Sequence, residues 1–150
     1  VIWESPSAIY AVDNEAARDQ ILRRHDVPPV EWMHYLTRPD NEGAQPAIAE
    51  VQYYDGGALC IVCFGPEMFK VPGLHVNAML TITHEAVHVF QRICELLGEE
   101  APGHEVEAYA IERITQNLID AYMTLQDRRV RIELQEHLDA NTPTQEEAAA

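Results

Sequence analysis

The chain has 150 residues, 47% of them hydrophobic, with 25 acidic side chains against 10 basic ones for a net charge of −15. One domain with a real core fits this length, and the negative charge argues against nucleic acid or an anionic membrane surface as partner. No apolar run approaches the ~18 residues of a membrane span.

In chain order, residues 1–12 read as an extended lead-in with Trp3 and Tyr10 as packing anchors. Asp13 is expected to cap a helix running to about His25, with Ala16, Ala17, Ile21 and Leu22 on its apolar face. Pro28-Pro29 stop that helix, and Pro29 opens a short second one ending near Leu36. Pro39, Asp40, Asn41, Gly43 and Pro46 mark residues 37–46 as a loop. Residues 47–54 and 58–64 are the clear strands, and Asp55-Gly56-Gly57 between them is a hairpin signal. Cys60 and Cys63 fall inside the second strand at a spacing that sends their thiols to opposite faces, so they read as core cysteines and not as half of a zinc site. Together with Cys94 they suit a reducing compartment, and no signal-peptide pattern opens the sequence, so a cytoplasmic location is expected.

Val71-Pro72-Gly73 turn into the most informative stretch, His84-Glu85-Ala86-Val87-His88. Asn77 as N-cap and Gly98 as stop predict a helix over residues 77–97. Met79, Ile82, Ala86, Val89 or Phe90, Ile93 and Leu97 form its apolar stripe, and the histidines lie off that stripe. Residues four apart sit ~40° apart around a helix, one turn along, so both imidazoles can reach one divalent cation. Glu85 projects near the same side and can take a proton from water activated by the metal. A His-Glu-x-x-His array on a helix is the core of a zinc peptidase site, which points to Zn²⁺, though imidazole suits several divalent ions, and to hydrolysis of a peptide or protein substrate.

A catalytic zinc needs a third protein ligand. The metzincin spacing offers none, since position 91 is Gln and position 94 is Cys. After a turn through Gly98, Pro102 and Gly103, His104-Glu105-Val106-Glu107-Ala108-Tyr109 open a second amphipathic helix whose stripe is Ile111, Ile114, Leu118, Ala121 or Tyr122, and Leu125. The short loop makes the two helices antiparallel neighbours. Helical geometry puts Glu107 in the core-facing stripe and Glu105 roughly 200° round from it. His104 stands at the helix mouth. Past Gln126-Asp127 a further helical pattern, with Val130, Ile132, Leu134 and Leu138, continues to about Asp139.

His84-Glu85-x-x-His88 with Gln91, followed by Glu105-x-Glu107-Ala108-Tyr109, resembles the gluzincin metallopeptidases, in particular their minimal forms and the small peptidases encoded by phages and prophages. The resemblance covers residues 77–115. It implies a zincin-like fold with a small sheet beside the metal helix, Zn²⁺ held by His84, His88 and Glu105, and Glu85 as general base. Glu107 stays open as the alternative ligand. Tyr109, one turn past Glu105, is the candidate donor to the reacting carbonyl oxygen, and Gln91 a candidate for orienting a neighbouring group.

The expectation is an α+β fold, mostly helical, with a small antiparallel hairpin packed on the metal helix. One domain spans residues 1–140 and a tail follows over 141–150. The sequence leaves the oligomeric state open. The competing reading is a non-catalytic binding or assembly protein on the same metal-binding scaffold.

Overall fold

The structure, a computed structural model, describes residues 7–28 and 48–141. Strand β1 (Ala8–Val12) leads into helix α1 (Glu15–Arg24). Strands β2 (Ala49–Tyr54) and β3 (Leu59–Phe64) follow, then the long helices α2 (Val76–Leu97) and α3 (His104–Asn141). The class is α+β with helix predominant, as the sequence indicates. Trp3, the short helix expected after Pro29, the loop over 37–46 and the tail from residue 142 lie outside the described residues.

The hairpin turns where the Asp-Gly-Gly signal lies. Asp55, Gly56 and Gly57 take positive φ values of 49°, 64° and 98°, a region glycine enters without the Cβ penalty. At Gly57 a Cβ would also meet the Arg92 guanidinium reaching over from α2. Arg92 Nη2 donates to the Gly56 carbonyl at 2.8 Å, tying the turn to the helix. Gly57→Ala is therefore expected to cost about 1–2 kcal/mol, through both backbone strain and displacement of Arg92. Urea denaturation reads this as a lowered midpoint, and an unchanged midpoint would contradict it.

The sheet holds one strand more than the hairpin. β3 is central, antiparallel to β2 and parallel to β1, giving the order β1-β3-β2. The extended reading of the first residues was compatible with a strand, but nothing local names a partner 50 residues away. β3 is buried from end to end, as expected of a central strand covered on both faces. On one face Leu59, Ile61 and Cys63 pack with Val12 beneath Ile21 and Leu22 of α1. On the other, Val62, Phe64 and Ala49 join the main core, built from Ala78, Ile82, Ala86, Val89, Phe90 and Ile93 of α2 and Ala110, Ile114, Leu118 and Tyr122 of α3.

Cys60 and Cys63 are buried free thiols, on opposite faces as the strand period requires. Burial pushes the Cys63 thiol from an ordinary value of 9.0 up to about 12. The fold thus favours the protonated thiol. The stability it contributes is whole below pH 9 and drains away as pH rises toward about 12, because the unfolded thiol ionises first. In mildly alkaline buffer, a thiol reagent is expected to modify the part-exposed Cys94 rapidly and to reach Cys60 and Cys63 only after denaturant is added. Three fast thiols in the native protein would count against this packing.

Helix ends differ from expectation where a distant partner intervenes. Asn14, not Asp13, caps α1, its Oδ1 accepting from the Ala17 N–H at 2.9 Å. Asp13 instead accepts from Arg129 Nε of α3 at 2.7 Å. His75, not Asn77, caps α2, with Nδ1 accepting from the Ala78 N–H at 3.3 Å. Gly98 ends α2 with φ of 66°, as predicted. The apolar stripe of α2 is rotated slightly: Ala78 is buried, whereas Met79 and Leu97 are exposed. Nothing breaks the chain at Gln126-Asp127, and α3 is a single helix of 38 residues.

Candidate metal centre on α2

His84 and His88 stand on the solvent side of α2, one turn apart, and their rings converge. His84 Nε2 and His88 Nε2 are 3.0 Å apart, the ring planes meeting at 86° with centroids at 4.7 Å. Two nitrogens each ~2.1 Å from one tetrahedral ion would stand about 3.4 Å apart, so the rings need open by only about 0.4 Å to act as two zinc ligands. At that distance an Nε2–H of one ring can donate to the Nε2 lone pair of the other.

Glu85 lies between them in sequence but turns toward the sheet and is buried, 5% exposed. Burial raises its pKa, the charges of His84 and His88 pull it back down, and the Glu50 carboxylate of β2 raises it again. The carboxyl is thus held between an apolar environment that favours the protonated form and two imidazoles that favour the carboxylate. That balance suits a group that accepts and returns a proton.

Tyr53 completes the local frame, and sequence reasoning missed it. Its hydroxyl donates to the His88 carbonyl at 3.1 Å. The Arg92 guanidinium stands 5.7 Å from the centre of its ring. Burial first, then the charges of Cys60, Glu85 and Glu95, push the Tyr53 phenol up to about 12, so it stays a donor at any ordinary pH. The signal was available: Ala49, Val51 and Tyr53 alternate along β2, so a hairpin packed on α2 points Tyr53 at that helix.

The structure does not bring Glu105 or Tyr109 to the histidine pair. α3 packs against α2 through the side that carries Ala86, Val89, Phe90 and Ile93. At ~100° per residue, His88 sits roughly 160° round the helix from Phe90, on the opposite flank. Glu105 also begins α3 beyond the end of α2, about 13 Å further along the axis than His88. Both Glu105 and Tyr109 are exposed, the latter at 67%. Glu107 lies beside Cys94, whose thiol its charge helps to raise after burial and Glu99. With His104, Glu107 lines an open cleft of about 890 Å³ at the α2–α3 turn, away from the pair. Gln91 is exposed in the same cleft. Among the described residues no cluster of three or more His, Cys, Asp or Glu is close enough to hold a metal ion. Among the described residues, the side-chain donors that converge here are the two imidazoles, and both are exposed to solvent.

Comparison with protein-family models, curated proteins and solved structures returns no match for this chain.

Proposed function

We propose that the chain is a metal-dependent hydrolase of peptide bonds, using His84 and His88 to hold a divalent ion and Glu85 to handle protons. One observation carries the reading: two solvent-facing imidazole nitrogens converge to 3.0 Å beside a buried carboxyl on the same helix. An exposed histidine pair with only a structural role has no need of that carboxyl, and burying it costs stability.

Zn²⁺ suits imidazole nitrogen and would supply Lewis acidity, lowering the pKa of water to about 7. Glu85 takes the proton from the attacking water and returns it to the leaving amine. Tyr53, through the His88 carbonyl, fixes the turn that carries the second imidazole. β2, which carries Tyr53, is an edge strand among the described residues, so its open edge can add an extended peptide as a further strand.

A second reading, a binding or assembly protein that keeps the metal pair without catalysis, is favoured by the distance of the α3 acids from the histidines. Metal content tests the part both readings share. The protein loaded with Zn²⁺ is expected to retain about one ion per chain through mild desalting, and His88→Ala to retain none, since a lone imidazole is too weak a site. Equal retention by wild type and His88→Ala would end both readings.

A further inference from the structure

Attack on a peptide carbonyl drives negative charge onto its oxygen, and a donor already aimed at that oxygen helps far more than one recruited from solvent. Tyr109, the donor implied by the resemblance, is exposed on α3 and away from the histidine pair. The Thr83 hydroxyl, next to His84 in sequence, is held by the Met79 carbonyl at 2.8 Å. Arg92 is held by Glu95 at 2.6 Å and by the Gly56 carbonyl at 2.8 Å.

Tyr53 is placed differently. Its ring reaches from β2 to α2, with the Arg92 guanidinium 5.7 Å from its centre. The phenol lies close enough to Glu85 for that carboxylate's charge to bear on it. Its hydroxyl donates to the His88 carbonyl at 3.1 Å. That carbonyl sits inside α2, where helix geometry already pairs it with the Arg92 N–H. The phenol therefore satisfies no orphan acceptor there, and its departure strands none. Tyr53 is also 41% exposed, and its strand is an edge of the sheet among the described residues, so an extended peptide added to that edge runs beside it.

We propose that Tyr53 is a catalytic residue of this site, turning its hydroxyl from the His88 carbonyl to the oxygen of the peptide carbonyl under attack. The assignment rests on the reading of the histidine pair as a peptide-hydrolysing site. The oxygen of water bonds to the carbonyl carbon while its proton passes to Glu85, and the π pair moves onto the carbonyl oxygen. Return of that pair breaks the C–N bond, and the leaving nitrogen takes the proton from Glu85. Tyr53 keeps its own proton throughout and donates a hydrogen bond while the oxygen carries the charge.

Tyr53→Phe keeps the ring and removes the hydroxyl. In the protein loaded with Zn²⁺ it is expected to lower kcat by about 10²–10³-fold, with KM within about twofold of wild type and zinc retention unchanged. A binding measurement separates this role from turnover. A peptide with a phosphinate in place of the scissile amide carries a tetrahedral, anionic oxygen. Calorimetry should find it bound at least about tenfold more weakly by Tyr53→Phe than by wild type. The matching amide peptide should bind Glu85→Gln and the double variant Glu85→Gln with Tyr53→Phe equally. Unchanged kcat and phosphinate affinity in Tyr53→Phe would overturn the assignment and leave the hydrolase reading standing. Loss of zinc, or equal weakening of the phosphinate and amide peptides, would also overturn it, because the hydroxyl would then only steady the turn of His88. A wild type that holds zinc but neither cleaves peptides nor prefers the phosphinate to the amide would overturn the hydrolase reading and the assignment together.

Discussion

Glu85→Gln is expected to leave metal binding intact and to lower the rate of peptide hydrolysis by roughly 10²–10⁴-fold, the usual contribution of a positioned general base. The amide keeps the shape of the carboxyl and fits the same buried position on α2, but it cannot take a proton. The atoms proposed to hold the ion are on the neighbouring imidazoles, whose Nε2 separation does not involve Glu85. The same substitution carries a stability readout. Burial raises the Glu85 pKa above its ordinary value, so holding the ionised form costs the fold free energy, and a neutral amide removes that cost. The variant should therefore melt no lower than wild type. Zinc stoichiometry, turnover of an unstructured polypeptide and thermal melting together decide the matter. Loss of hydrolysis with zinc retained supports the peptidase reading. Detectable wild-type hydrolysis that survives Glu85→Gln would remove Glu85 from the chemistry, and a wild type that hydrolyses nothing while binding zinc would favour the binding or assembly reading.

Tyr122→Ala is expected to give the largest loss of stability of any substitution considered, about 3–5 kcal/mol. Tyr122 is completely buried. Its ring meets Phe64 of β3 edge-on at 5.8 Å and stacks on Phe69 at 5.3 Å. The hydroxyl donates to the Met68 carbonyl at 2.7 Å and accepts from Gln126 Nε2 at 2.8 Å. One side chain thus joins the sheet, the segment leading into α2, and α3. Tyr122→Phe keeps the ring contacts and strips the hydroxyl, leaving the Met68 carbonyl short of a partner, and should cost about 1–2 kcal/mol. Chemical denaturation of both variants separates the two contributions. If Phe and Ala substitutions proved equally costly, the hydroxyl bond and not the ring would hold this junction. If both were neutral, the described packing of α3 on the 66–75 segment would be wrong.

Much of the frame around the histidine pair was legible because its signals are local. A turn of Asp55, Gly56 and Gly57 needs positive φ, so the hairpin follows from three residues. Gly98 stops α2 for the same reason. The imidazoles at four-residue spacing on an amphipathic helix had to share a face, and the two thirds of the motif that depend on that spacing came together as read.

What failed locally failed for one reason. A side chain's periodicity tells which face of its own helix it occupies, but not which element covers that face. Glu105 and Tyr109 match the resemblance in sequence, yet reach the histidines only if α3 approaches from their side, and the core stripe of α2 draws α3 to the opposite flank. The parallel partner of β1, the caps at Asn14 and His75, the service of Asp13 as an anchor for Arg129, and the hold of Tyr53 on the His88 carbonyl likewise depend on groups far along the chain. By itself the sequence determined the elements, the turn chemistry and the histidine–glutamate–histidine array, since backbone dihedrals and helical pitch fix these within a few residues. Only the tertiary structure decided what stands beside that array, because burial of apolar faces, the strongest force in the fold, sets the approach of each helix without regard to the ligands it carries.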